Sequence, residues 1–223
     1  MSLTYEPAAA IAHLSAVDPV MGDLITRVGA FTLTPELTHS PFHALMRAIV
    51  YQQLSGKAAG TILGRVLELM PKGRGRPRPE DLLTIDDQRL RAAGLSGNKL
   101  LALRDLAAKA QDGTVPTLAT LRKLSDAEII ERLTAVRGIG VWTVEMLLLF
   151  RLGRSDVLPV ADLGVQKGYQ LTYRKRALPT AKQLLKAGEP WRPFRSVASW
   201  YLWRAVDLAN ATRIKTLELK PSK

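Results

Sequence analysis

Two stretches of this 223-residue chain combine residue types with chemical potential. The first is Leu133-Thr134-Ala135-Val136-Arg137-Gly138-Ile139-Gly140-Val141-Trp142-Thr143. Gly138 and Gly140 let a phosphate approach the backbone closely and permit angles that other residues resist. The amides of Gly138, Gly140 and Thr143 are expected at the start of a helix, where free N–H donors and a positive dipole suit an anion. Ile139, between the glycines, plugs the core. A Gly-x-Gly alone is weak evidence, because helix hairpins also use glycine for packing. Apolar Leu133 and Val136 make the pattern more specific. The second stretch is Asp156-Val157-Leu158-Pro159-Val160-Ala161-Asp162-Leu163-Gly164-Val165-Gln166-Lys167-Gly168. Pro159 breaks one helix and Asp162 stands where the next begins. Taken alone, Asp162 reads as an N-cap, for which aspartate is among the best residues.

Charge narrows the partners of such groups. Lys and Arg number 32 against 20 Asp and Glu, a net +12. That surplus points first to nucleic acid, where contacts to phosphate dominate binding. Glycine and proline forbid regular structure in Pro71-Lys72-Gly73-Arg74-Gly75-Arg76-Pro77-Arg78-Pro79. Its cations either touch phosphate or form a solvated loop. With 0 cysteines there is no disulfide framework, cysteine nucleophile or cysteine-ligated iron–sulfur cluster. His13, His39 and His43 lack metal-ligand spacing with nearby acids. Neither a nucleotide phosphate loop nor a dinucleotide fingerprint appears, and no serine triad is seen. No apolar run approaches the roughly 20 residues needed to cross a bilayer, and Met1–Ala16 does not read as a signal peptide. The expectation is a monomer in the cytoplasm, or in the nucleus of a eukaryote, with no membrane partner.

The elements that must position these residues are helical nearly throughout. Pro7–Ala16 is alanine-rich, and Asp18-Pro19 and Ser40-Pro41 open helices by a cap followed by proline. Further helices are predicted over Lys57–Leu69, Asp86–Ala93, Ser96–Gln111, Gly140–Leu152, Thr180–Ala187 and Pro193–Ala209. Ser125 with Glu128 forms a capping box for a helix to Thr134. A further helix starts at Asp162, and the tail after Asn210 is expected to fray. No alternating run is long enough for a sheet; only a short hairpin at the basic loop stays open. The fold class is all-α.

Hairpin, apolar helix and Pro-x-x-Asp turn, in that order, resemble the helix-hairpin-helix (HhH-GPD) DNA glycosylases. The resemblance runs from about Ser40 to Arg204. It is nearest the branch acting on alkylated bases, the 3-methyladenine DNA glycosylase II type. Arg47-Ala48-Ile49-Val50-Tyr51-Gln52-Gln53-Leu54-Ser55 matches it, as does Trp191-Arg192-Pro193-Phe194-Arg195-Ser196 through Leu202-Trp203-Arg204. The resemblance implies two helical lobes with the hairpin and Asp162 at the cleft. Residues 40–158 would form the central lobe, with the hairpin element at about 125–152. Residues 1–39 plus 159–223 would form the second lobe.

The same resemblance implies the roles. Asp162 is the essential carboxylate of a base-excision enzyme acting on double-stranded DNA. Gln53 is the wedge that fills the gap left by a flipped base, with Gln52 or Tyr51 in support. Trp142 and Trp203 line the base pocket, and Met146, one turn beyond Trp142, shares its wall. Backbone carbonyls of Thr134, Val136 and Ile139 would hold a structural K+ or Na+; no other cofactor is implied. Some relatives carry a Schiff-base lysine just after the second hairpin glycine; here Val141 and Trp142 follow Gly140. A monofunctional enzyme that leaves an abasic site is therefore expected, Lys167 being an imperfect rival on the Asp162 helix. Trp191, Trp200 and Tyr201 read as core. Two departures bear on substrate breadth. Too few residues precede Ser40 for the extra β-rich domain of some members, and Leu163 stands where an aromatic would extend the pocket. A non-catalytic lesion binder and a glycosylase for deaminated or oxidised bases are the alternatives.

Overall fold

A computed structural model describes residues 3–36, 40–71 and 77–218, and no described residue lies in a strand. Most of the basic loop, at 72–76, and His39 lie outside the described residues. In chain order the helices are α1 (Pro7–Val17), α2 (Pro19–Val28), α3 (Pro41–Tyr51), α4 (Gly56–Glu68), α5 (Pro79–Thr84), α6 (Asp87–Ala92) and α7 (Gly97–Gln111). They continue with α8 (Leu118–Leu121), α9 (Asp126–Thr134), α10 (Val141–Leu147), a π-helical turn (Leu148–Leu152), α11 (Leu163–Thr172), α12 (Ala181–Ala187) and α13 (Arg195–Glu218).

Side chains fix most of these starts. Asp18, Ser40, Ser55, Ser96, Ser125, Asp162 and Thr180 each accept a hydrogen bond from an amide of the first turn that follows. Each such cap contributes about 1 kcal/mol. At α9 the box is reciprocal, since Glu128 Oε2 accepts from the Ser125 amide at 2.7 Å. The segment expected as one apolar helix changes register midway, ending in the π turn. α13 continues through the tail expected to fray: 211–218 contains neither glycine nor proline, so nothing stops the helix.

The chain divides into two compact units, Met1–Glu36 with Leu148–Lys223, and Leu37–Leu147. The sequence had carried the middle lobe on to 158. Residues 148–158 instead bond within the terminal unit. There the Thr4 amide donates to Gly153 O at 3.2 Å, Glu36 to Phe150 O at 2.9 Å and Ser196 to Ser155 O at 2.9 Å.

In the terminal unit the core gathers Leu14, Met21, Leu24, Val165, Trp191, Val197, Tyr201 and Leu202, all buried. Trp191, Trp200 and Tyr201 are core residues, as their spacing indicated. Asp18 ties the unit together: its Oδ2 accepts from the Tyr173 hydroxyl at 2.6 Å and from Trp191 Nε1 at 2.9 Å. Burial and the bond to Asp18 hold the Tyr173 hydroxyl well above the usual tyrosine range. α11 packs on α13 with almost no spacing: a Cβ on Gly168 would lie 2.0 Å from Leu202 O. In the middle unit α7 packs against α3, α5 and α6, and α9 against α10. Phe42, Leu45, Met46 and Ile49 of α3 and Leu103 and Leu106 of α7 are buried there.

Candidate active site

The hairpin joins α9 to α10. Leu133, Val136 and Ile139 are all buried, so the apolar spacing seats the turn in its unit. Gly138 has φ +78°, a conformation L side chains rarely adopt. Among the described residues, no backbone acceptor takes the amide of Gly138 or Gly140. Thr143 is a correction. Its amide donates to Gly140 O at 3.0 Å, so the first turn of α10 uses the donor expected to face an anion. Asp105 braces the turn, its Oδ2 accepting from the Arg137 amide at 2.7 Å and its Oδ1 pairing with Lys109 at 2.5 Å. Burial pushes the Asp105 carboxyl up. The Arg137 amide and Lys109 outweigh burial and hold it below its ordinary value. Of the three carbonyls expected at a monovalent cation, Thr134 ends α9, where carbonyls lack intrahelical partners. Val136 O accepts only one backbone bond among the described residues, from Ile139 N at 3.0 Å. These oxygens fit a hard cation in kind.

Beside the hairpin, in the same unit, lies the loop after α3. Gln52 Nε2 donates to Gly138 O at 2.8 Å. Lys99 Nζ, from α7, donates to Val50 O and to Gln52 O, each at 2.8 Å. Burial lowers the Lys99 ammonium pKa below the usual lysine value. Gln53 is exposed and left-handed at φ +56°, which costs a non-glycine residue about 1–2 kcal/mol. The two glutamines expected at the wedge are thus separated: Gln52 is tied to the hairpin and Gln53 lies in solvent. Trp142, at the start of α10, is 48% exposed, and Met146 is half-buried.

In the terminal unit, Asp162 sits at the head of α11. Its amide donates to Pro159 O at 2.9 Å, closing the turn that the proline begins. Its Oδ1 accepts from the Val165 amide at 2.8 Å and from Trp203 Nε1, also at 2.8 Å. The aspartate is therefore an N-cap, and an indole from α13 orients it as well. Its side chain is partly exposed. Trp203 stacks on Phe150 with ring centroids 5.5 Å apart and planes at 26°. Gly164 makes this arrangement fit, because a Cβ there would stand 2.7 Å from Trp203 Cδ1 and 3.0 Å from Asp162 Oδ1. Upstream, Arg195 grips Asp156 through Nε at 2.6 Å and Nη2 at 3.0 Å, and Arg192 adds a 2.5 Å bond. Ser196 Oγ donates to Arg154 O at 2.7 Å and accepts from the Val157 amide at 3.0 Å. Arg192 and the first turn of α13 thus pin the segment leading to Asp162. Leu163 is 52% exposed.

A model of the HhH-GPD superfamily of base excision DNA repair proteins matches residues 46–193. The chain belongs to the HhH-GPD superfamily. This HhH-GPD protein is 39% identical over 202 residues to DNA-3-methyladenine glycosylase 1 of Schizosaccharomyces pombe, covering 90% of this chain and 88% of the relative. Among solved structures it is similar to an S. pombe 3-methyladenine DNA glycosylase in complex with abasic DNA. That match has TM-score 0.78 and 39% identity over 91% of this chain and 98% of that one. It is also similar to a DNA-3-methyladenine glycosidase from Bacillus halodurans, with TM-score 0.81 and 36% identity over 94% of each chain.

Sequence reasoning about this HhH-GPD chain missed Lys99, Asp105, Phe150 and Gly164. Arg192, Arg195 and Ser196 carry a signal, through the segment that resembles the family. No group of three or more His, Cys, Asp and Glu residues suits a metal among the described residues. The His13 ring nitrogen instead contacts Pro190 O at 3.1 Å. No helix in the described residues is long and apolar enough to cross a membrane.

Proposed function

We propose that this HhH-GPD protein is a monofunctional DNA glycosylase that flips alkylated, cationic purines out of duplex DNA and hydrolyses their N-glycosidic bonds. The relatives carrying 3-methyladenine in their names and the neighbour held on abasic DNA support this reading. The observation that carries it is the part-exposed Asp162 carboxylate, held on one oxygen by an amide and an indole N–H.

An extruded purine methylated at N3 or N7 bears positive charge. The exposed face of Trp142 attracts it by a cation–π interaction of about 0.5–2 kcal/mol. As the C1′–N bond breaks, its electron pair neutralises the base, so no general acid is needed. Positive charge passes to the sugar, where Asp162 stabilises it. Water then adds its oxygen to C1′ and gives its proton to Asp162. Gly138 and Gly140 offer amides to the phosphate backbone, and Gln53 fills the vacated stack. Carbonyls of Thr134, Val136 and Ile139 would hold a monovalent cation, supplying positive charge beside the phosphate. Val141 and Trp142 after Gly140 leave no amine for a Schiff base, so the product is an abasic site and borohydride traps no adduct.

Asp162→Asn tests the assignment under single-turnover conditions on methylated DNA. The expected result is a loss of about a hundredfold or more in base release, with affinity for abasic duplex retained. Unchanged release overturns the role of Asp162. If wild type releases only hypoxanthine or uracil, or no base at all, the substrate class is wrong.

A further inference from the structure

Gln53 has to enter the helix while the hairpin holds a phosphate. Both acts involve the middle unit: one hydrogen bond joins the two segments directly, and two more tie the loop to α7, which itself holds the hairpin through Asp105. Gln52 Nε2 reaches across 86 positions of sequence to Gly138 O, the carbonyl of the left-handed hairpin glycine. Lys99 Nζ holds Val50 O, in the last turn of α3, and Gln52 O, the residue that ends it. Carbonyls at a helix C-terminus lack intrahelical partners and sit at the negative end of the dipole, so an ammonium there is well placed. Within the same segment the Arg47 guanidinium lies 4.0 Å over the Tyr51 ring, and the Leu54 amide donates to Tyr51 O at 3.4 Å. Gln53 alone in this segment is strained, exposed and without a side-chain bond among the described residues.

We propose that Lys99 and Gln52 are positioning residues that lock the Gln53 loop to the phosphate-gripping hairpin, so that seating the hairpin on the backbone fixes where Gln53 enters the duplex. This rests on the glycosylase reading above. A freely hinged loop would search for the gap after the base had left. A locked one arrives in register and holds the gap open. Neither residue touches the base or sugar, so each acts on extrusion and not on bond cleavage.

The test compares Gln52→Ala, Lys99→Met and Lys99→Arg with wild type. One substrate carries a single N-alkylated purine paired in duplex. The second carries the same lesion opposite an abasic position, where little pairing has to be broken. Gln52→Ala and Lys99→Met should lose about tenfold in single-turnover release from the paired substrate, as befits loss of a charge-assisted or bracing hydrogen bond. They should lose about twofold or less from the unpaired one. Lys99→Arg, which keeps a cationic donor, should recover most of the loss. Equal losses on the two substrates, or none on either, overturn the proposal. Insertion is also read without cleavage, by 2-aminopurine fluorescence beside an abasic-site analogue. There the two variants should show weaker unstacking at equal occupancy, and an unchanged signal overturns the proposal even if wild type proves to release no base.

Discussion

Asp162 accepts two bonds on the same oxygen, one from the amide it caps and one from an indole on another helix. A cap alone asks only for the Val165 amide. The Trp203 indole adds a second donor from 41 residues away, on a ring fixed by Phe150 and admitted by Gly164. Trp203 was expected only as a wall for the base; its N–H gives it a second task. Trp203→Phe separates the two, keeping an aromatic face while removing the donor. A hydrogen bond to a charged acceptor contributes about 1.5–3 kcal/mol, so single-turnover base release should fall about tenfold or more. Binding of abasic duplex should stay within about twofold of wild type. If release is unchanged, the ring face alone matters and the orienting role is lost. Asp162 was legible because Pro159 and the following helix lie beside it in sequence. The indole was not, because nothing local to either residue encodes a contact made by packing α11 on α13.

At the scale of elements, capping explains both what was legible and what was missed. Helices opened by Asp18, Ser40, Ser96, Ser125 and Thr180 start where their short-range signals place them. α5 and α8 escaped because six and four residues hold too little of a helical period to see. Contacts between elements are set by backbone approach, which sequence shows only as an unremarked glycine. Gly168→Ala pushes a methyl into the Leu202 carbonyl. Such overpacking costs about 1–3 kcal/mol and should lower the melting temperature by several degrees in a thermal scan. An unchanged melt would mean that α11 and α13 separate at little cost. The hairpin has its own element-level brace in Asp105, whose folded pKa is depressed. A depressed carboxylate stabilises fully above its unfolded pKa, and the contribution is lost as pH falls through the folded value. The Arg137 amide resonance should therefore titrate below the ordinary aspartate value of about 3.9. Asp105→Asn should abolish that step, and a midpoint above the ordinary value would contradict the bracing.

The molecule as a whole carries 32 cations against 20 acids, and several of those acids are committed internally. Asp156 serves Arg192 and Arg195, Asp87 serves Arg104, and Asp105 serves Lys109. The surplus is the part of function most legible from sequence, since charge needs no fold to be counted. The unit boundary was less so: residues 148–158 follow the hairpin helix in sequence yet bond to the termini, through contacts more than a hundred positions apart in the case of Thr4 and Gly153. Charge and chemistry consequently separate in an experiment. Affinity gained from phosphate contacts falls with salt by a log–log slope of about −0.9 per phosphate neutralised, so four contacts correspond to about a hundredfold between 50 and 200 mM salt. An oriented carboxylate acting on a bound, extruded nucleotide is shielded from that screening. Binding of abasic duplex should weaken steeply over this range, whereas base release at saturating enzyme should hold within about twofold. A shallow binding slope would assign the surplus to something other than DNA. A release rate falling in parallel with affinity would mean that extrusion, and not bond cleavage, is set by the same ionic contacts.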